Sequence, residues 1–215
     1  MLKIVPLQAY IIDMFKKIPN YIKYIFTNVF FLFIFIAFFR GLFYTFFASL
    51  ENVSSQEIQK ALLLGLRFDL KLAILTFFPL AIFVLIINHN FFKSIIYKRI
   101  AAIYITLSYL ILTLFYLFDF GYYEYLAIRL DASSLRFLSN FKISFQVLIE
   151  SYPIYKGVFG LTILCFISYK YATLIFNIFN KGYQKITNKL KAVFFVFTFL
   201  ILSFGVFNSI THYPL

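Results

Sequence analysis

Five nearly continuous apolar runs constrain this chain more than any other feature of its sequence. They fall at about residues 24–47, 70–87, 100–118, 154–176 and 192–207. A helix needs about 20 mostly apolar residues to cross the hydrocarbon layer of a bilayer, and each run is close to that length. None alternates polar and apolar positions as a strand of an outer-membrane barrel does. The expected fold is therefore all-α. It is a polytopic membrane helix bundle, a single transmembrane domain over residues 1–215 with about five transmembrane helices. A soluble fold is excluded by composition: 63% of residues are hydrophobic and 13% charged, against roughly half and a quarter in soluble domains. One water-soluble core of this size cannot hide that much apolar surface. Pro79 is expected to kink the second span, with neighbouring helices accommodating the break.

The formal charge of +12 is distributed as a topology signal. With the N-terminus in the cytoplasm, the inner segments hold Lys3, Lys16, Lys17, Lys23, Lys93, Lys98, Arg99, Lys170, Lys181, Lys185, Lys189 and Lys191, opposed only by Asp13. On the outer side eight basic residues meet seven carboxylates. Lys and Arg accumulate on the cytoplasmic side of membrane proteins, so the expected orientation is N-terminus inside and C-terminus outside. The charge then needs no nucleic-acid partner to explain it. The first run is too long for a cleavable signal peptide and lacks a small-residue cleavage site, so it reads as a signal anchor.

Between the spans, two stretches have the pattern of interfacial amphipathic helices. Residues 4–18 space Ile4, Ile11, Phe15 and Ile18 among Lys and Gln, as expected of a helix lying on the inner leaflet. In the outer segment at about 119–153, Leu135, Leu138, Phe141, Phe145, Leu148 and Ile149 line one helical face, with Asp131 or Ser133 as its cap. Ser54-Ser55-Gln56-Glu57 matches a capping box that opens a helix leading into the second span. Membrane lipids are the expected partners, anionic ones in particular.

Two outer clusters concentrate the remaining charge. One is Gly65-Leu66-Arg67-Phe68-Asp69-Leu70-Lys71; the other is Asp119-Phe120-Gly121-Tyr122-Tyr123-Glu124-Tyr125 with Arg129-Leu130-Asp131-Ala132-Ser133. Arg67 and Lys71 are four apart, so they share one side of a helix. An Arg fork and a Lys point charge at headgroup depth suit a phosphodiester, and the tyrosines suit an interfacial belt. Two readings stand: a lipid-headgroup seat, or charges that anchor helix ends and pair with one another. Arg40, near the outer end of the first span, either snorkels to the surface or faces the bundle. His89 and His212 lie on opposite sides of the membrane in this topology, which excludes one shared metal site, and Cys165 is the sole cysteine. Neither a Gly-rich phosphate loop, a nucleophile elbow nor zinc-ligand spacing is present.

These clusters also carry a family resemblance. Gly65-Leu66-Arg67-Phe68-Asp69-Leu70 resembles the lead-in to the second span of the lipoteichoic acid synthase family, the sulfatase-like phosphoglycerol transferases of the alkaline phosphatase superfamily. Asp119 to Tyr125 with Arg129 to Ser133 is similar to the outer loop after that family's third span. His212-Tyr213-Pro214-Leu215 resembles the segment after its fifth. The resemblance implies a bacterial cytoplasmic-membrane protein whose five-helix domain precedes an extracytoplasmic catalytic domain. That domain carries a Thr nucleophile and Mn²⁺ or Mg²⁺, and it is expected after Leu215. No cofactor, catalytic Thr or metal ligand is expected within residues 1–215 themselves. By the same resemblance, Arg67, Lys71, Arg129 and Arg136 would hold the headgroup of a phospholipid donor, oriented by Asp69, Asp119 and Asp131. A non-catalytic membrane scaffold, docking another protein on the outer amphipathic helix, is the competing expectation.

Overall fold

The computed structural model describes residues 18–47, 54–130 and 154–180, together with 196, 198 and 200, and these contain helices and no strand. In chain order the elements are α1 (Asn20–Phe47), α2 (Ser55–Ile87), a 3-10 segment (Asn88–Lys93), α3 (Ile95–Leu126) and α4 (Ile154–Asn180). All four α-helices are long and apolar enough to cross a membrane. Of the fifth expected span, only residues 196, 198 and 200 are described, and they are helical. The two expected interfacial helices lie outside the described residues, apart from Ile18.

Each described helix overruns the apolar run that announced it. α2 begins at Ser55 and α3 continues to Leu126, because an apolar run marks what lipid must cover, whereas a capped helix propagates through polar turns at one hydrogen bond per residue. The α2 cap is the expected box. Ser54 Oγ accepts from the Glu57 backbone N–H at 3.3 Å, and Glu57 Oε2 accepts from the Ser54 backbone N–H at 3.1 Å. Ser94 caps α3, its hydroxyl accepting from the Ile96 N–H at 3.2 Å. α2 runs unbroken through Pro79.

Burial follows rows of four along each helix. In α1 the row is Tyr24, Asn28, Leu32 and Ile36; in α2 it is Gly65, Asp69, Ala73 and Phe77; in α4 it is Ser168, Ala172 and Phe176. The opposite faces are as apolar as the buried ones: Phe30, Phe38, Ile86 and Phe115 are all more than half exposed. Such surface is at home in acyl chains and untenable in water. Hydroxyls inside the helices bond back to their own turns, as in Ser108 to the Tyr104 carbonyl and Thr113 to the Tyr109 carbonyl. That pattern satisfies a polar group without an external partner.

The described residues divide into two compact units. The first contains α1 up to Arg40, α2, the 3-10 segment, the chain to Lys98 and α4 from Leu174. An aromatic cluster fills it: Tyr24 is fully buried and its ring lies 5.5–6.2 Å from those of Phe91, Phe92, Phe176 and Phe179. The tight 3-10 turn supplies Phe91 and Phe92. Asn20 donates to the Phe179 carbonyl at 2.8 Å, and Lys98 Nζ donates to Asn177 Oδ1 at 2.8 Å, tying the same ends together. The second unit contains residues 41–47, α3 from Arg99 and α4 to Thr173. There Phe43 and Phe47 pack against Phe120 and Tyr123, with ring centroids 4.9–5.8 Å apart, and Tyr109 meets Tyr171.

Candidate functional site

Among the described residues each unit contains one arginine–carboxylate pair, and the two pairs are built differently. In the first unit Arg40 and Asp69 form a two-pronged bond: Nε donates to Oδ2 at 2.6 Å and Nη2 to Oδ1 at 2.5 Å. Asp69 is 2% exposed and the Arg40 side chain 31%. Arg40 continues the buried row of α1, four residues past Ile36, so it faces the bundle; of the two sequence readings, snorkelling is the one set aside. A β-carbon on Gly65 would come within 2.8 Å of Arg40 Nη1 and 2.9 Å of its Cζ. The end of the Arg40 side chain therefore occupies the space a β-carbon at Gly65 would need.

Asp69 was expected, with Asp119 and Asp131, to orient the set Arg67, Lys71, Arg129 and Arg136; its partner here is Arg40. It is two residues from both Arg67 and Lys71, and side chains two apart on a helix point to nearly opposite sides. Asp69 is buried, Arg67 is exposed and Lys71 is half-buried. Neither cation has an ion-pair partner among the described residues.

In the second unit the structure brings Asp119 and Arg129 together. The route is a strained helix end. Ala127 takes φ 56°, the left-handed region that L-residues usually avoid, while its N–H still reaches the Tyr123 carbonyl at 2.8 Å. This closes α3 in an αL cap and turns the chain back along its last turns. Asp119, 7% exposed, then collects three donors. Arg129 Nη2 reaches Oδ2 at 2.6 Å, the Leu130 backbone N–H reaches Oδ1 at 2.9 Å, and Arg129 Nε lies 3.4 Å from Oδ1. The guanidinium carbon sits 4.2 Å from the centre of the Phe43 ring, a cation–π distance.

The Arg129 side chain remains 53% exposed. With Nε and Nη2 turned to Asp119, Nη1 has no partner among the described residues. An arginine held by a buried carboxylate and an aromatic face has lost its rotamer freedom but keeps donors for an anion. Phe43 carries no sequence signal, being one of 33 phenylalanines. Arg40 did carry one, its place on the row Asn28-Leu32-Ile36. Arg136 and Asp131 lie outside the described residues. Among those described, no three His, Cys, Asp or Glu side chains gather in a group able to hold a metal ion.

Fold and site together define a helical chain with four segments able to cross a membrane and an exposed, anchored arginine. No family model, curated protein or solved structure matches the chain.

Proposed function

We propose that this chain is the membrane domain of a sulfatase-like phosphoglycerol transferase, holding a phospholipid donor by its headgroup at the outer face of the bacterial cytoplasmic membrane. In this reading the N-terminus is inside. Leu215 leads outward toward a catalytic domain, which would supply the Thr nucleophile and the Mn²⁺ or Mg²⁺ of the transfer step. What residues 1–215 contribute is location and charge. They confine the donor to a membrane surface and bring its phosphate to a fixed cation, raising the effective concentration of donor beneath the active site.

The observation that carries the reading is the Arg129 fork, more than half exposed yet pinned by buried Asp119. Two of the donors on the Asp119 carboxylate come from Arg129, and they fix the direction of its guanidinium. Arg67 and Lys71, one helical turn apart on α2, belong with Arg136 to the set of cations proposed from the sequence. Asp119 orients Arg129, and Asp131 follows two residues later in the chain.

The test is lipid binding by the 215-residue protein in phosphatidylcholine nanodiscs. A fluorescent phosphatidylglycerol is expected to bind more tightly than a phosphatidylcholine probe, and Arg129→Ala to weaken the former by roughly tenfold, the value of one charge-assisted hydrogen-bond pair. Equal affinity for the two lipids in the wild-type protein would refute the donor-presenting reading.

A further inference from the structure

Resting on the donor-seat reading, a further role falls to a residue of α1 with no polar atom. We infer that Phe43 is a positioning residue: with Asp119 it fixes the plane of the Arg129 guanidinium, so that the Nη1 edge is offered to the non-bridging oxygens of a phosphodiester. The seat then recognises a planar fork and not positive charge alone.

The geometry carries this in three steps. Asp119 engages the Nε–Nη2 side of the guanidinium, but a carboxylate alone lets the plane swing about the line joining the two groups. Phe43 removes that freedom by lying under the guanidinium, 4.2 Å from ring centre to Cζ. The ring is itself fixed, packed at 4.9 Å against Tyr123, at 5.5 Å against Phe120 and at 5.0 Å against Phe47. The αL turn at Ala127 brings Arg129 back to this position two residues after the helix closes. Backbone held in a sparsely populated region commonly marks a site whose geometry is over-determined by its surroundings. Among the described residues, one edge of this planar cation is left without a partner. Lys cannot reproduce it, since an ammonium presents three rotatable donors and no plane.

The experiment measures affinity for trace fluorescent phosphatidylglycerol in phosphatidylcholine nanodiscs carrying the full 215-residue chain. Its variants are Phe43→Leu, Phe43→Tyr, Arg129→Lys and Arg129→Ala, each checked for wild-type helicity and elution volume. Phe43→Leu is expected to weaken binding about 2- to 5-fold, the worth of one cation–π contact, and Phe43→Tyr to restore it. Arg129→Lys is expected to lose as much as Arg129→Ala despite keeping its charge. Wild-type affinity in Phe43→Leu, with Arg129→Ala impaired, would overturn this inference and leave the donor seat standing; so would wild-type affinity in Arg129→Lys. Wild-type affinity in Arg129→Ala would overturn both. The series is repeated with inorganic phosphate as the probe. Phe43-dependent binding of phosphate without any of phosphatidylglycerol would overturn the assignment to a lipid.

Discussion

Arg40 and Asp69 show what a single charge does inside an apolar bundle. Either one alone would leave an uncompensated ion among residues such as Ile36 and Ala73; paired, each satisfies the other's strongest donors or acceptors. Arg40→Ala or Asp69→Ala is therefore expected to lower stability by roughly 3 kcal/mol, near the low end for breaking a buried pair because Arg40 is part-exposed. The double change Arg40→Leu/Asp69→Leu is expected to recover most of that loss, measured by thermal unfolding in detergent. Gly65→Ala belongs to the same cycle: it should destabilise the wild-type protein by about 1–2 kcal/mol through crowding of the guanidinium, and be nearly neutral beside Arg40→Leu. Half of this pair was legible in the sequence. The i+2 spacing already separates Asp69 from Arg67 and Lys71, and the row 28-32-36-40 already places Arg40 with Asn28. Which carboxylate lies opposite Arg40 depends on how α1 and α2 pack, and no local pattern encodes that.

At the scale of helices, ends are written more plainly than faces. Ser54-Ser55-Gln56-Glu57 specifies where α2 starts because a cap is a local exchange of hydrogen bonds among four residues. The faces are obscured because lipid and protein interior both select apolar side chains, so a helix hydrophobic all round has no stripe to read. α2 has 33 residues, about 50 Å of helix against roughly 30 Å of hydrocarbon, so its capped start must stand clear of the acyl layer. Single cysteines at 56, 59 and 60 in a Cys165→Ala background are expected to react with a water-soluble maleimide, and those at 75, 78 and 82 to resist it. Uniform reactivity along α2 would contradict a span beginning near Leu70. At the other end of the bundle's third helix, Ala127→Gly relieves the left-handed strain at a smaller entropic cost. It is expected to raise stability by about 0.5 kcal/mol, while Ala127→Val lowers it by about 1 kcal/mol.

For the whole molecule, the apolar runs conveyed the all-helical class and the positions of four helices able to cross a membrane, because hydrocarbon thickness imposes a length that composition alone can reveal. The seat at Arg129 was only half visible. Its charges stood out against an apolar background, whereas Phe43, 86 residues upstream, is brought beneath Arg129 by tertiary packing. Everything proposed for this protein requires that seat to open on the outer face of the cytoplasmic membrane, and Tyr125, 84% exposed and two residues before the Ala127 turn, reports on it without touching the Asp119–Arg129 pair. The decisive measurement is labelling of Tyr125→Cys, in a Cys165→Ala background, by a membrane-impermeant maleimide in intact cells. Labelling is expected to be as complete in intact cells as in lysed ones; labelling that appears only after lysis would place the seat in the cytoplasm and contradict the donor-presenting role.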